Sequence, residues 1–257
     1  MESDLLRSVL KPAKRPVLPR RTNSASFSSL DFSPLHWSQF FEEYRDLPVS
    51  SSKARFRVYL NGFKSESTGP CLVLIHGGGY SALTWSLFVR SLKEICDCRV
   101  VAIDLRGHGS TQTDDDYDLS LNRLVDDIYN VLVCLFNGDQ SEEAAKEERD
   151  AMDEVGYKPV DEPISLPPLC LVGHSMGGAL VVHASFKLAS ICTITGLIVI
   201  DVVEGTALDA LQSMHMVLKN RQKSFNSVGE AIEWCVRNNQ TKNIEAARIS
   251  FPGQIKK

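Results

Sequence analysis

The pentapeptide Gly-His-Ser-Met-Gly at Gly173–Gly177 is the stretch of this chain best suited to chemistry. It follows the apolar run Leu169–Val172 and precedes residues 178–184, whose composition suits a helix. A strand, a tight turn with a central serine and then a helix is the setting in which G-x-S-x-G marks a nucleophile. The glycines allow the helix to pass close to the strand while the serine occupies a strained, exposed turn. We therefore predict that Ser175 is the nucleophile of a serine hydrolase rather than part of an ordinary glycine-rich turn.

A second motif supplies the groups that such a serine needs. Residues 70–75 form another apolar run, which ends in His-Gly-Gly-Gly at His76–Gly79. In serine hydrolases of this layout, that loop and the residue after the nucleophile donate backbone N–H groups to the oxyanion hole. Glycine lets the backbone approach the substrate oxygen, and one such donor lowers the barrier by roughly 3 kcal/mol. The predicted donors are Gly78 (or Gly79) and Met176, with His76 as a structural hydrogen-bonding residue of the loop.

The elements that must position these residues follow from apolar patterning. Short β-branched and apolar runs predict strands at 55–60, 72–75, 99–104, 169–172 and 196–201, with helices at about 82–95, 120–136 and 177–190. Alternating strands and helices predict an α/β fold with a mostly parallel sheet and helices on both faces. Active residues of such sheets gather at the carboxyl ends of the strands.

The acid that would orient a base is predicted at Asp201. It ends an apolar strand, and the separation from Ser175 leaves room for one helix and one strand. Asp104 also ends a strand, but it precedes the serine and is interpreted as holding its own turn together through Arg106 or backbone amides. Glu204 is a lesser alternative.

The base is harder to find, because in this class the histidine follows the acid. The only histidine after Asp201 is His215, in a segment with helical patterning, where it is interpreted as a helix-surface or lid residue. His108 and His183 both precede the acid. The chain then ends at Lys257 without a further strand, so we expect the last strands of the sheet and the catalytic histidine to be absent from this sequence.

Composition limits the other classes of function. The chain has 257 residues, 43% hydrophobic and 23% charged, with a net charge of −4, which fits one α/β domain and does not point to nucleic acid. No apolar run reaches about 18 residues, so no membrane span is expected. The N-terminus lacks the apolar segment of a secretory signal. Seven scattered cysteines are interpreted as reduced thiols of a cytoplasmic or nuclear protein, with no metal site and no cofactor.

Local composition also divides the chain into segments. Residues 1–30 are basic and rich in Ser and Pro, so a disordered tail is expected. Residues 31–257 are expected to form an incomplete hydrolase domain. Within it, 138–167 is predicted to be an acidic surface insertion, and about 205–257 the start of a cap or lid.

The motifs together resemble those of protein phosphatase methylesterase 1, a family of serine esterases with the α/β-hydrolase fold. The matching stretches are Asp31–Phe41, His76–Leu83, Asp104–Gly109, Gly173–Ala179, Ile200–Ala207, Ala231–Trp234 and Ala246–Ser250. The resemblance implies hydrolysis of the methyl ester on the C-terminal leucine of the protein phosphatase 2A catalytic subunit, which is both substrate and docking partner. It places the family's Ser and Asp on Ser175 and Asp201, and its histidine downstream of this sequence.

Three hypotheses follow. The first is a methylesterase that acts through Ser175. The second is a truncated, catalytically dead form that still binds the phosphatase, or a chain that does not fold stably. The third is a serine esterase or lipase of small molecules.

Overall fold

The structure is a computed structural model that describes residues 30–49, 54–64, 70–138, 164–202 and 222–255. The chain divides into Met1–Asp31 and Phe32–Lys257, and every described strand and helix belongs to the second unit. The predicted tail therefore lies almost wholly outside the described residues, as does most of the predicted insertion at 138–167. In the described part of the chain, no helix is long and apolar enough to cross a membrane.

Six strands among the described residues form one sheet, and this sheet carries the site. Its strands are β1 (Glu43–Pro48), β2 (Arg55–Asn61), β3 (Cys71–Ile75), β4 (Arg99–Ile103), β5 (Leu169–His174) and β6 (Ile194–Ile200). Their order in the sheet is β1-β2-β4-β3-β5-β6. The strand β2 pairs antiparallel with both β1 and β4, whereas β4, β3, β5 and β6 are parallel to one another. The predicted mostly parallel sheet is confirmed, and β1 is an additional strand that the patterning did not reveal.

The described residues include five helices. They are α1 (Ser86–Lys93), which follows a 3₁₀ turn at Ala82–Trp85, α2 (Leu121–Asn137), α3 (Met176–Leu188), α4 (Val228–Arg237) and α5 (Ile244–Ser250). The apolar stripe of α2 packs with α3 into one core cluster, which includes Leu132 and Leu180. Val89 of α1 and Ile249 of α5 pack in a second cluster with residues of the strands. The sheet is therefore covered on both faces, as expected for the α/β class.

The outer strand β6 is the least covered part of the sheet. It pairs with β5 along one side, and no other strand among the described residues pairs with its second side. Four consecutive apolar residues are 41–47% exposed, namely Leu197, Ile198, Val199 and Ile200. Because successive residues of a strand point to opposite faces, both faces of β6 leave apolar surface open.

Candidate active site

Ser175 stands in a turn that only this local sequence permits. It caps α3 with φ 52° and ψ −121°, between the end of β5 and the first helical residue. A Cβ on Gly173 would lie 2.2 Å from the carbonyl oxygen of Gly177. A Cβ on Gly177 would lie 2.4 Å from the carbonyl oxygen of Ile75. The two glycines therefore allow β5, α3 and the end of β3 to meet at the serine, in the conformation that the motif predicts for a nucleophile.

The glycine loop after β3 packs directly on this turn. A Cβ on Gly77 would lie 3.2 Å from the Cβ of Ser175, and a Cβ on Gly78 would lie 3.6 Å from Met176 Sδ. Met176 is the first residue of α3, a position whose N–H has no acceptor within the helix. The structure thus places Gly78 against Met176, the residue that follows Ser175, and their role as oxyanion donors stays a prediction.

The alternative donor, Gly79, has its N–H committed elsewhere. That N–H donates to Nε2 of His108 at 2.9 Å. Gly78 is therefore the better candidate of the two, and its role in the oxyanion hole stays a prediction.

His76 is fully buried beneath the same loop and has a structural environment. Its Nδ1 lies 2.8 Å from the carbonyl oxygen of Gly77, and its Nε2 accepts the N–H of Leu105 at 3.1 Å. Burial lowers the pKa of His76 to about 3. The ring therefore stays neutral and joins the two loops, in agreement with the structural interpretation of this residue.

Asp104 binds backbone amides of its own turn and of a neighbouring segment. Its carboxylate is buried and accepts the N–H groups of Ala82 at 2.7 Å and Ser110 at 2.8 Å. Burial raises the pKa of Asp104 to about 6, and the two amides partly oppose that shift. A Cβ on Gly109, which has φ +55°, would collide with this carboxylate at 2.1 Å. The interpretation that backbone amides fix this turn is therefore correct.

The Arg106 guanidinium binds groups other than the Asp104 carboxylate, contrary to the other interpretation. Its guanidinium binds both carboxylate oxygens of Asp127 on α2, at 2.7 and 2.8 Å, and both side chains are buried. A third contact reaches the carbonyl oxygen of Asp115 at 2.8 Å.

Asp201 directly follows β6, beside the end of β5. It has φ 54°, its side chain is 76% exposed, and its Oδ2 lies 3.8 Å from Nε2 of His174. The Nδ1 of His174 is buried and has no hydrogen-bond partner in the described part of the structure. Sequence reasoning did not single out His174, although its place inside the serine motif, directly before the nucleophile, was the available signal. The role of Asp201 as the acid stays a prediction, and Glu204 lies outside the described residues.

The described histidines differ in how their ring nitrogens are engaged. His76 and His108 each use both ring nitrogens in backbone hydrogen bonds. His183 is exposed on α3, and His215 lies outside the described residues. Over the described ranges, no group of three or more His, Cys, Asp or Glu side chains could hold a metal ion. The arrangement therefore offers a serine in a strained turn beside a glycine loop. The oxyanion role of Gly78 and Met176 stays a prediction, and no base is identified among the described residues.

Comparisons with known proteins agree with this geometry. The model of the alpha/beta hydrolase family matches residues 72–237. Protein phosphatase methylesterase 1 of Bos taurus is 42% identical over 94% of this chain, which covers 58% of that relative. The probable protein phosphatase methylesterase 1 of Dictyostelium discoideum is 38% identical over 86% of this chain and 67% of the relative. This chain thus spans a little under three fifths of the bovine relative's length.

Among solved structures, the thioesterase domain from the curacin biosynthetic pathway is similar in fold. It superposes with a TM-score of 0.53 at 21% identity, over 84% of this chain and 68% of that domain. That degree of identity supports the fold alone. The strand order, the strained serine turn and these matches together show that the chain belongs to the alpha/beta hydrolase family and, within it, to the protein phosphatase methylesterase 1 family.

Proposed function

We propose that this chain is a carboxylic-ester hydrolase that removes the methyl ester from the C-terminal leucine of the protein phosphatase 2A catalytic subunit. The observation that supports the proposal is the packing of the glycine loop against the Ser175 turn, with Gly77 close to Ser175 and Gly78 close to Met176. The names of the relatives supply the substrate class, a methyl ester on a protein phosphatase.

The chemistry proceeds in two steps. Ser175 Oγ attacks the ester carbonyl carbon as its proton passes to a base, and the carbonyl oxygen becomes an anion between the N–H groups of Gly78 and Met176. Collapse of this intermediate breaks the bond to the methoxy group, which leaves with a proton as methanol. Water then attacks the acyl-enzyme in the same oxyanion hole and releases the free leucine carboxylate and the Ser175 hydroxyl.

The base is the unassigned component of this mechanism. Asp201 would orient it, since an acid beside the base keeps the correct tautomer and stabilises the imidazolium that forms. Loss of one triad member lowers turnover by about 10⁴- to 10⁶-fold, with a residual rate supplied by the oxyanion hole and binding. A chain without the base would then retain a folded site and very slow ester hydrolysis.

Labelling with a fluorophosphonate probe tests the nucleophile. We expect the purified chain to be labelled at Ser175, and we expect the Ser175→Ala variant to remain unlabelled while it unfolds with the same cooperative transition. A chain that melts cooperatively without labelling would contradict the hydrolase proposal. It would favour the dead, phosphatase-binding form instead, which a pull-down with the phosphatase would then detect.

The substrate needs a second measurement. Peptides that end in leucine methyl ester, with the phosphatase C-terminal sequence or a scrambled one, are compared with a methyl ester of a small acid. Hydrolysis is followed by mass spectrometry, and we expect the phosphatase peptide to be cleaved fastest. Preference for the small ester would instead support the third hypothesis. The cytoplasmic or nuclear location stays a proposal that rests on cysteine usage.

A further inference from the structure

Two loops near Ser175 are joined by a pair of histidines, each of which accepts a backbone N–H from the other loop. The first is the oxyanion loop, residues 76–80, and the second is the turn of residues 104–111 that follows β4. His76 of the oxyanion loop accepts the N–H of Leu105 in the second loop, at 3.1 Å. In return, His108 of the second loop accepts the N–H of Gly79 in the oxyanion loop, at 2.9 Å. The two rings lie with their centroids 5.1 Å apart.

The partners fix the tautomer of both rings. Nδ1 of His76 faces the carbonyl oxygen of Gly77 at 2.8 Å, and Nδ1 of His108 faces the carbonyl oxygen of Arg106 at 2.7 Å. A carbonyl oxygen only accepts and a backbone N–H only donates, so each ring must carry its proton on Nδ1 and a lone pair on Nε2. Both histidines are therefore neutral, and each acts as a donor within its own loop and an acceptor for the other loop.

The bond to His108 determines which glycine amide faces the site. Gly79 has φ +76°, and its N–H belongs to the same peptide plane as the carbonyl group of Gly78. The bond to Nε2 fixes that plane, commits the Gly79 N–H to His108 and leaves the preceding amide, that of Gly78, as the loop's donor. Glycines have the greatest backbone freedom of all residues, so a run of three needs such an external partner to hold one orientation.

The second loop is itself firmly held. His108 is bonded through the Arg106 carbonyl group, and the Arg106 guanidinium forms its buried pair with Asp127 of α2. On the other side of Gly78, Gly77 packs against the Cβ of Ser175. The oxyanion loop is thus fixed at one end by the nucleophile turn and at the other by His108.

We propose that His108 is a positioning residue, which orients the oxyanion loop by accepting the Gly79 N–H and so aims the Gly78 N–H at the oxyanion. It touches neither substrate nor nucleophile. This inference rests on the proposed function for its catalytic consequence, whereas the hydrogen bond and the tautomer can be measured independently of any activity.

The test combines a rate with a spectroscopic signature. Second-order labelling rates with the fluorophosphonate probe are measured for the wild-type chain, His108→Ala, His108→Gln and the control His183→Ala, which removes an exposed histidine from α3. We expect His108→Ala to be labelled at least about tenfold more slowly, because small misplacements of catalytic groups cost one to two orders of magnitude. His108→Gln, whose side-chain oxygen can accept the same N–H, should recover part of the rate, and His183→Ala should match the wild type.

Nuclear magnetic resonance supplies the readout that does not depend on activity. In wild-type chain labelled with ¹⁵N-glycine and ¹⁵N-histidine, Gly79 should be protected from hydrogen exchange, and His108 should show a protonated Nδ1 and an unprotonated Nε2. In His108→Ala, the Gly79 amide should shift and lose protection, whereas His183→Ala should leave it unchanged. These wild-type signals hold even if the alanine variant fails to fold.

The outcomes separate the two proposals. A wild-type chain that is not labelled would contradict the hydrolase function, and the Gly79 and His108 signals would still decide the hydrogen bond. Labelling of His108→Ala at the wild-type rate would overturn the positioning role. A wild-type His108 that is protonated on Nε2 would also overturn it. So would a slow labelling rate in both His108→Ala and His108→Gln while the Gly79 amide of these variants stays protected from exchange.

Discussion

Replacing Ser175 with glycine should make the protein more stable while it destroys the nucleophile. Ser175 has φ 52° and ψ −121°, close to the first central position of a type II′ turn, where glycine is strongly favoured. A residue with a Cβ in such a sparsely populated region costs about 1–3 kcal/mol. Ser175→Gly removes that cost, and Ser175→Ala, which also lacks the hydroxyl but keeps the Cβ, is the matched control.

The size of the effect follows from two opposing contributions. Relief of strain stabilises the folded state by about 1–3 kcal/mol, whereas glycine adds unfolded-state entropy that costs about 0.4–1 kcal/mol. The expected net gain of Ser175→Gly over Ser175→Ala is about 1–2 kcal/mol in the free energy of unfolding. In a chain of this size each kcal/mol raises the melting temperature by roughly 2–4 °C.

Urea unfolding and thermal melts of the two variants and the wild type measure this difference directly. Neither variant should react with the fluorophosphonate probe. If Ser175→Gly is no more stable than Ser175→Ala, the turn stores no strain, and the argument that the fold holds the serine in an unfavourable conformation is refuted.

Three further perturbations probe the supports of the site. Gly173→Ala should destabilise the chain by about 3 kcal/mol and abolish labelling, because its Cβ would meet a backbone oxygen at 2.2 Å. The control Gly229→Ala in α4 should be neutral or stabilising, because a Cβ there would come no closer than 3.6 Å to its neighbours. Equal urea midpoints for the two variants would contradict this reasoning. Arg106→Met should lower the free energy of unfolding by about 3–5 kcal/mol, since it leaves the buried carboxylate of Asp127 without its bidentate partner, and adding Asp127→Leu should restore most of the loss. Burial raises the pKa of Asp104 to about 6, so the stability that this carboxyl group contributes is complete below its unfolded pKa of 3.8 and is lost as the pH rises through 6. Relative to Asp104→Asn, the free energy of unfolding of the wild type should fall by up to about 3 kcal/mol between pH 4 and 7. A difference between the two proteins that does not change with pH would exclude this titration.

The parts of the fold that the sequence predicts are those with strong local patterns. The buried strands β3, β4 and β5 are runs of apolar residues, and the amphipathic helix α2 shows a clear helical period. The strand β1 has the sequence Glu-Tyr-Arg-Asp-Leu-Pro at Glu43–Pro48, and this edge strand exposes half of its residues, so it lacks the apolar signal of a buried strand. Edge strands are stabilised by pairing with their neighbour, which local composition does not reveal.

The site divides in the same way. Ser175 and the glycine loop are predicted because the glycines are needed for steric reasons that act over a few residues. The partners of Arg106 and His108 are not predicted, because Asp127 and Gly79 lie far away in sequence and reach them only through the arrangement of the sheet. Charge and hydrogen-bonding capacity identify residues that need partners, and only the fold decides which partners they receive.

The two halves of the candidate site also differ in how firmly the sheet holds them. Ser175 follows β5, which has β3 on one side and β6 on the other, and its N–H donates to the carbonyl oxygen of Ile200 at 2.9 Å. Asp201 follows β6, the outer strand among those described, and its side chain is 76% exposed. A fluorophosphonate reacts with Ser175 only if a base accepts the serine proton, so labelling, like ester turnover, needs both halves of the site. Labelling stops at the covalent adduct, whereas turnover also requires water to hydrolyse the acyl-enzyme. Fast labelling with slow turnover would therefore mean that Ser175 is activated and that the defect lies in a step after its attack.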